Sequence, residues 1–478
     1  MFNSKQLIAR KIAYNVVFNA TAKVLSTILA LVGIGFITRY LGQEGFGEYA
    51  TALAFFSFFG ALADLGLYSV ATREISREGA NEEEIIGNVF SLRVFTSLLI
   101  FIIAPLIVYF FPYPPEVKKA ILLTAAAFVF SSSYMVLNGV FQKNLAMDKV
   151  AIVELIGKVI QTAIIILAAT NDWGFLAIIS SILFYMIFNF SLILLFSRKY
   201  VKFHLHFNFI YWKKFLKMSA PMGISVIITF LYFKMDTILL SVIKGSADVG
   251  IYNAAYKIIE NITFFPAMIV GLTLPLTSQF IFSQKERFRE ISDKTAKVFF
   301  LLIIPLFIAV MFLANDIMLL IGGSEFAVSA NTLRILIIAL AFIFFGNFFN
   351  NILLAGNLQK KMMLALGFCA IFNISANLVM IPLYSYTGAA ITSAITEMLV
   401  IAITSFLTYK YLDYVPKIEN WARFVFSGMA MAFFLFIFQG QNFFFLALGS
   451  SAIYFIFLWL TKAITATELK SIMQKDVA

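Results

Sequence analysis

Residues 298–313 read VFFLLIIPLFIAVMFL, sixteen positions without a polar or charged side chain. Taken with its neighbours as 297–321, the run is long enough to cross a bilayer, whose hydrocarbon core needs about 20 apolar helical residues. Thirteen more such runs can be read along the chain. They cover 14–39, 47–71, 88–111, 119–141, 150–169, 174–196, 217–243, 250–281, 330–354, 363–383, 388–409, 421–438 and 443–461. The expected fold is an all-α, polytopic membrane protein with fourteen transmembrane helices. Pro105, Pro221, Pro266, Pro275 and Pro305 fall in or near the runs and predict kinks.

Composition agrees. Of 478 residues 61% are hydrophobic and 13% charged, against about 45–50% and about 25% in soluble domains. No soluble core could hide that much apolar surface. A soluble enzyme, a nucleic-acid binder and a disordered scaffold are thereby excluded. The net charge of +11 then reads as a cytoplasmic excess of Lys and Arg facing anionic lipid. The single cysteine, Cys369, permits no intramolecular disulfide. His204 and His206 share one loop with no third ligand near them, so no metal is expected. Lys5, Arg10 and Lys11 precede an apolar stretch too long for a signal-peptide core, which reads as a retained first span.

Loop charge tests the count. With the N-terminus in the cytoplasm, 26 Lys and Arg fall in cytoplasmic segments and four (Arg39, Lys118, Lys119, Lys244) in external ones. A miscounted helix would put a basic loop on the wrong face, so the asymmetry supports fourteen spans and two cytoplasmic termini. The external loops are all short, which argues against a membrane glycosyltransferase or polymerase. Residues 203–217 read as an interfacial link. Residues 285–297, with Phe288, Ile291, Thr295 and Val298 on one face, read as a short amphipathic helix on the inner leaflet.

The chain repeats. Gly42-x4-Gly47-x-Tyr49-x2-Ala52 recurs as Gly245-x4-Gly250-x-Tyr252-x2-Ala255, offset by 203 residues. Each copy opens the second helix of its half, where glycine suits a tight turn and tyrosine an interfacial anchor. Both copies run from outside to inside, so the halves are expected to be parallel repeats about an axis along the membrane normal. The expected organisation is a cytoplasmic N-terminus (1–13), an N-lobe (14–196), a cytoplasmic linker (197–216) and a C-lobe (217–411). Two extra helices (412–463) and a cytoplasmic C-terminus (464–478) complete it.

These stretches resemble a known family. Thr38-Arg39-Tyr40-Leu41-Gly42-Gln43-Glu44-Gly45-Phe46-Gly47-Glu48-Tyr49, with Asp64-Leu65-Gly66-Leu67 and Thr72-Arg73-Glu74, looks like the opening of bacterial and archaeal polysaccharide flippases. Asp236-Thr237-Ile238-Leu239-Leu240 and Val249 to Lys257 are similar to it as well. So are Gly323-Ser324-Glu325-Phe326, Leu333-Arg334-Ile335-Leu336, Asn373, Asn377, Ile381-Pro382 and Gly388-Ala389-Ala390. The family is the polysaccharide transporter branch of the multidrug/oligosaccharidyl-lipid/polysaccharide exporter superfamily, which also holds O-antigen flippases and, more distantly, the lipid II flippase. The resemblance implies a V-shaped pair of six-helix bundles with a central cavity and a lipid-linked sugar as cargo.

Charges at membrane depth cost several kcal/mol and so face a wet cavity or a partner. Glu154 with Lys158, and Lys257 with Glu260, are spaced to pair on one helix face. Lys23, Arg93, Lys234 and Arg334 have no evident partner on their own helices. Lys23 sits midway along the first run and Lys234 in the outer half of the seventh. A cationic cavity suits the pyrophosphate of a polyprenyl-linked glycan. Lys23, Arg39, Arg93, Lys234, Lys257 and Arg334 are the candidate substrate-binding residues. Asp64, Asp236, Glu260 and Glu397 are candidates for coupling H+ or Na+, or for partnering those cations.

The expected function is outward flipping of that glycan lipid by alternating access in the plasma membrane, as a monomer among membrane lipids. No cofactor and no nucleic acid are expected, and no Gly-rich phosphate loop for ATP occurs. Two rivals stay open: a lipid II flippase, and a drug/cation antiporter of the same superfamily. The antiporter needs acids in the first helix, where this chain has Lys23. Phe433, Phe434, Phe436, Phe438 and Phe443 to Phe445 either form a groove for the isoprenoid tail or simply face lipid.

Overall fold

The computed structural model describes residues 4–64 and 66–463, with side chains at all of these except 4–14, 16, 17, 62–64, 221, 225 and 232. Among the described residues every regular element is a helix, so the all-α membrane fold stands. The helices are α1 (Ser4–Asp64), α2 (Leu67–Ile75), α3 (Glu82–Tyr109), α4 (Pro115–Lys143), α5 (Met147–Thr170), α6 (Phe175–Ser197) and α7 (Phe209–Ile243). Then come α8 (Ser246–Ile262), α9 (Phe264–Phe280), α10 (Lys285–Gly322), α11 (Ser329–Ala355), α12 (Gln359–Leu412), α13 (Trp421–Ile437) and α14 (Phe443–Leu460). One 3-10 turn, Ser324–Val328, precedes α11.

Among the described residues ten helices are long and apolar enough to cross a membrane, or eleven with the pair Phe209–Ala220 and Met222–Leu231, bent by 56°, taken as one. Two of the ten are too long for one crossing and are broken within. α1 kinks at Gly42, whose φ of 64° is a glycine conformation. α12, 54 residues long, kinks at Ser385 (φ 49°), whose hydroxyl donates to Asp248 Oδ1 at 2.6 Å. The repeat counterpart of Gly42, Gly245, marks the break between α7 and α8.

The amphipathic segment at 285–297 is not a separate helix. It forms the first turns of α10, which continues unbroken into the apolar run. Of the expected face Phe288 and Thr295 are buried and Ile291 and Val298 half-buried, beside the buried Ser292 and Phe299, while Glu286, Arg287 and Glu290 on the other side are exposed.

The chain forms two compact units. The first comprises Met1–Asn253 with Ile321–Glu325 and Ile374–Tyr386. In it α4 packs on α3 and α6, α5 on α1 and α6, and α7 along α1 and α2. The α1–α7 seam is apolar, with Ala54, Phe58, Ala61, Phe230 and Ile238. At its end Gly66 (φ 73°) lies so close to α7 that a Cβ there would sit 2.2 Å from Met222 Cβ. The interfacial link docks on α3: the His206 N–H donates to Ser91 Oγ at 3.0 Å, and a Cβ on Gly87 would strike the His204 carbonyl. The second unit comprises Ala254–Leu320, Phe326–Asn373 and Thr387–Ala478. In it α9 packs on α11, and α13 with α14 closes against α10 through Phe424, Met431, Tyr454 and Leu313. Gly428 admits Ile304 and Ile308 of α10, and Gly449 admits Phe434. Small residues at helix crossings supply the close packing that lipid does not drive. Phe433, Phe436, Phe444 and Phe445 are exposed on these two helices.

Candidate functional site

Hydrogen-bonding groups inside a membrane must be satisfied by the protein. The most developed polar cluster of the first unit centres on Asp236 of α7, which is 2% exposed. The Tyr252 hydroxyl of α8 donates to Asp236 Oδ2 at 3.0 Å, and Asn377 Nδ2 of α12 donates to Oδ1 at 2.6 Å. Beside them Thr237 donates to Asn253 Oδ1 at 3.2 Å, and Asn253 Nδ2 donates to the Val249 carbonyl at 3.0 Å. Three helices thus converge on one buried carboxylate, and all the donors named are neutral. Hydrogen bonds to a charged acceptor are the stronger kind, at about 1.5–3 kcal/mol each. A hard monovalent cation here would be held by oxygens, the Asp236 carboxylate first and the hydroxyl and amide oxygens beside it.

The expectation that the repeat tyrosines anchor at the membrane interface is corrected. Tyr252 is fully buried and Tyr49 is 7% exposed. Their hydroxyl-bearing rings point into the helix packing, where Tyr252 has Asp236 to bond. Tyr252 stands in the repeat and Asn377 among the family-like stretches, and neither reading gives it a role in the site. The available signal was Asn373 and Asn377, polar and one helical turn apart within an apolar run.

The cation candidates are dispersed. Lys23 on α1 is exposed and close enough to Glu154 on α5 to interact with its charge. Lys158 donates to Gln161 Oε1 at 2.9 Å and stands 5.9 Å from the Tyr185 ring centroid. Arg39 is exposed near the Gly42 kink, and Lys234 is half-buried two residues before Asp236. Arg93 is 1% exposed and donates from Nη1 to Ser132 Oγ on α4 at 3.3 Å. In the second unit Lys257 pairs with Glu260 at 2.8 Å, as their spacing predicts. Arg334 was expected to lack a partner on its own helix. It donates from Nη1 to Asn331 Oδ1 at 2.8 Å and from Nε to the Met311 carbonyl at 3.1 Å. Its long side chain reaches a neutral acceptor one turn back, which a search for carboxylates overlooks. Glu397 is buried on α12. The side chain of Asp64 lies outside the described residues.

The two copies of the repeat meet within the first unit. A Cβ on Gly47 would lie 1.7 Å from the Ser246 carbonyl oxygen, and one on Gly250 would lie 1.9 Å from that of Gln43. No side chain fits between backbones this close.

A separate open pocket of about 560 Å3 lies in the second unit, between the start of α10 and residues 409–419. Its charges of both signs largely satisfy each other. Asp293 accepts from the Tyr414 hydroxyl at 2.7 Å and the Lys417 N–H at 2.9 Å, and Glu290 pairs with Lys294 at 2.7 Å. Burial and the Asp293 bond raise the Tyr414 pKa, while the Lys294 bond lowers that of Glu290. The arrangement fastens the segment after α12 to α10. Among the described residues no three His, Cys, Asp or Glu side chains group to hold a metal ion.

The sequence and the fold resemble those of known proteins. Residues 12–281 match the family described as polysaccharide biosynthesis protein, and residues 221–379 match the MatE family. A Shigella flexneri protein named for O-antigen transport is 25% identical over 405 residues, covering 80% of this chain and 94% of its own. The capsular polysaccharide biosynthesis protein CapF of Staphylococcus aureus is 23% identical, covering 81% and 97%. Among solved structures, the lipid II flippase MurJ in an inward closed conformation superposes with a TM-score of 0.74 at 16% identity, covering 93% of this chain and 98% of that one. An inward-facing MATE-family multidrug resistance transporter gives 0.65 at 15% identity, covering 83% and 98%. With more than half of its length matched, the chain belongs to the polysaccharide biosynthesis protein family and is a membrane transporter of the multidrug/oligosaccharidyl-lipid/polysaccharide exporter superfamily, not an enzyme.

Proposed function

We propose that the chain flips a polyprenyl-pyrophosphate-linked oligosaccharide from the inner to the outer leaflet of the plasma membrane by alternating access. Both termini lie in the cytoplasm, as the loop charges indicate. The reading is supported by relatives named for O-antigen transport and capsular polysaccharide biosynthesis along four fifths of the chain. The observation that carries the cargo's chemistry is Lys23, a cation and not an acid in the first membrane run, with Lys234 in the seventh. A sugar head crossing hydrocarbon would leave its hydroxyls unpaired. A wet cleft between fourteen helices arranged as two lobes removes that cost while the polyprenyl tail stays in lipid. Arg39, Arg93, Lys257 and Arg334 complete the set proposed to line or support the cleft, with Asp64, Glu260 and Glu397 as charge partners.

With the inside negative, outward movement of an anion is favoured by about 2.3 kcal/mol per charge per 100 mV, or about 5 kcal/mol for a pyrophosphate. H+ or Na+ held at Asp236 adds a second drive, the buried carboxylate being the group that takes either.

The MurJ-like fold favours one alternative cargo, lipid II, which also carries a pyrophosphate. Reconstituted protein offered fluorescent polyprenyl-pyrophosphate oligosaccharide and lipid II, each probed by a membrane-impermeant quencher, separates the two. Loss of the oligosaccharide signal inside-out is the expected result. Flipping of lipid II alone moves the assignment to that cargo, and flipping of neither, with drug efflux instead, refutes it.

A further inference from the structure

The contact between the repeats is reciprocal. Gln43 and Ser246 are equivalent positions at the offset of 203, as are Gly47 and Gly250. Each glycine lies against the carbonyl of the other copy's equivalent residue, at matching distances. The same exchange occurs one step earlier. Thr38 and Ser241 are equivalent positions at the ends of the lead helices. Thr38 Oγ1 donates to the Ile321 carbonyl at 3.1 Å, and Ser241 Oγ bonds the Tyr113 hydroxyl at 2.8 Å. Each hydroxyl thus touches the opposite sequence half, Thr38 at the last turn of α10 and Ser241 at the link between α3 and α4, with Thr38 sharing its one proton with the Ile34 carbonyl at 2.8 Å. Backbone thus packs directly on backbone here, with a hydroxyl contact beside it in each half.

The symmetry breaks at one place. Tyr49 and Tyr252 are equivalent, but the counterpart of Asp236 is Gly33. Among the described residues the second copy alone ties its tyrosine to an acid, and Tyr252 stands two residues from Gly250. Asp248, on the same turn, is held by Ser385. The helix turn that makes the reciprocal contact is thus the turn that reports on Asp236.

We propose that the two copies of the repeat form the outer seal of the transport path, and that Tyr252 is the positioning residue through which the occupancy of Asp236 sets whether the seal is shut. The inference rests on the flippase reading for the meaning of the path and of its outer side. It adds that release on the outside is controlled at the repeat glycines, and that the control is one-sided because only the second half carries the acid.

Two measurements in a Cys369→Ala background test it. In the first, Gln43→Cys protein in intact cells is labelled with a membrane-impermeant maleimide. Tyr252→Phe and Asp236→Asn should each raise the labelling rate at least about fivefold, the low end of coupling between two sites. Combined, they should raise it no further than either alone. Unchanged labelling in Tyr252→Phe, or effects that multiply, overturns the link; a merely structural role for Tyr252 predicts that multiplication. In the second, Gln43→Cys and Ser246→Cys are bridged by oxidation in liposomes. Flipping of the labelled glycan lipid should stop and return on reduction, and undiminished flipping by the bridged protein overturns the seal. If the unbridged protein moves no such lipid, the cargo reading fails, while the labelling measurement still decides the seal.

Discussion

Tyr252 and Asp236 stand sixteen residues apart on consecutive helices, and their side chains meet at 3.0 Å in a part of the molecule closed to solvent. A buried carboxylate needs its hydrogen bonds, because removing one partner leaves the remaining group desolvated and unsatisfied. Tyr252→Phe keeps the ring and deletes the donor. It is expected to cost about 1.5–3 kcal/mol, read as a lower unfolding midpoint of the detergent-solubilised protein. An unchanged midpoint would mean the bond is weak in solution.

Backbone contacts make a sharper test than side-chain ones. Gly47→Ala and Gly250→Ala each place a methyl group under 2 Å from a carbonyl oxygen, and neither neighbour is a flexible side chain. Both are expected to abolish flipping at normal expression or to reduce the folded yield. Gly271→Ala, with open space around it, should stay within about 0.5 kcal/mol of wild type. Equal behaviour of the three variants in paired transport and yield assays would remove the packing argument.

Lys23→Gln with Lys234→Gln should eliminate flipping of the pyrophosphate-linked glycan while insertion and yield remain normal. Lys23 interacts with Glu154, so Glu154→Gln is the matching control. If neutralising the acid restores transport to the lysine variant, the lysine serves the acid and not the cargo.

Tyr414 supplies a pH dependence. Its folded pKa is raised, so the folded state holds the proton more tightly than the unfolded chain. That stability is present below the ordinary tyrosine pKa of about 10 and is lost as pH rises above it. Thermal unfolding between neutral and alkaline pH should therefore fall less steeply in Tyr414→Phe than in wild type. Parallel curves would exclude the contribution.

Much of the fold was legible because apolar length is a local property. Sixteen uncharged residues from Val298 to Leu313 demand a helix in lipid wherever they stand, and the one-sided burial of Phe288 and Thr295 followed from their spacing. The Gly42 and Gly245 motif announced two equivalent breaks. The site was less legible. Lys257 and Glu260 pair as their spacing predicts, but Arg334 found an amide and a carbonyl that no search for opposite charge would propose. Arg93 is enclosed between α3 and α4, and Tyr252, a tyrosine suited to an interfacial anchor, is buried against Asp236.

From composition, run length and loop charge come the class of the molecule and its helical elements, and from motif spacing its internal repetition, since each is written in the chain itself and in the bilayer as solvent. Which groups meet is a different matter. Asn377 reaches Asp236 across 141 positions of sequence, and Gly47 meets Gly250 across the whole length of the repeat. Partners of that kind are chosen by how helices pack and where they kink, so only the folded arrangement could select them.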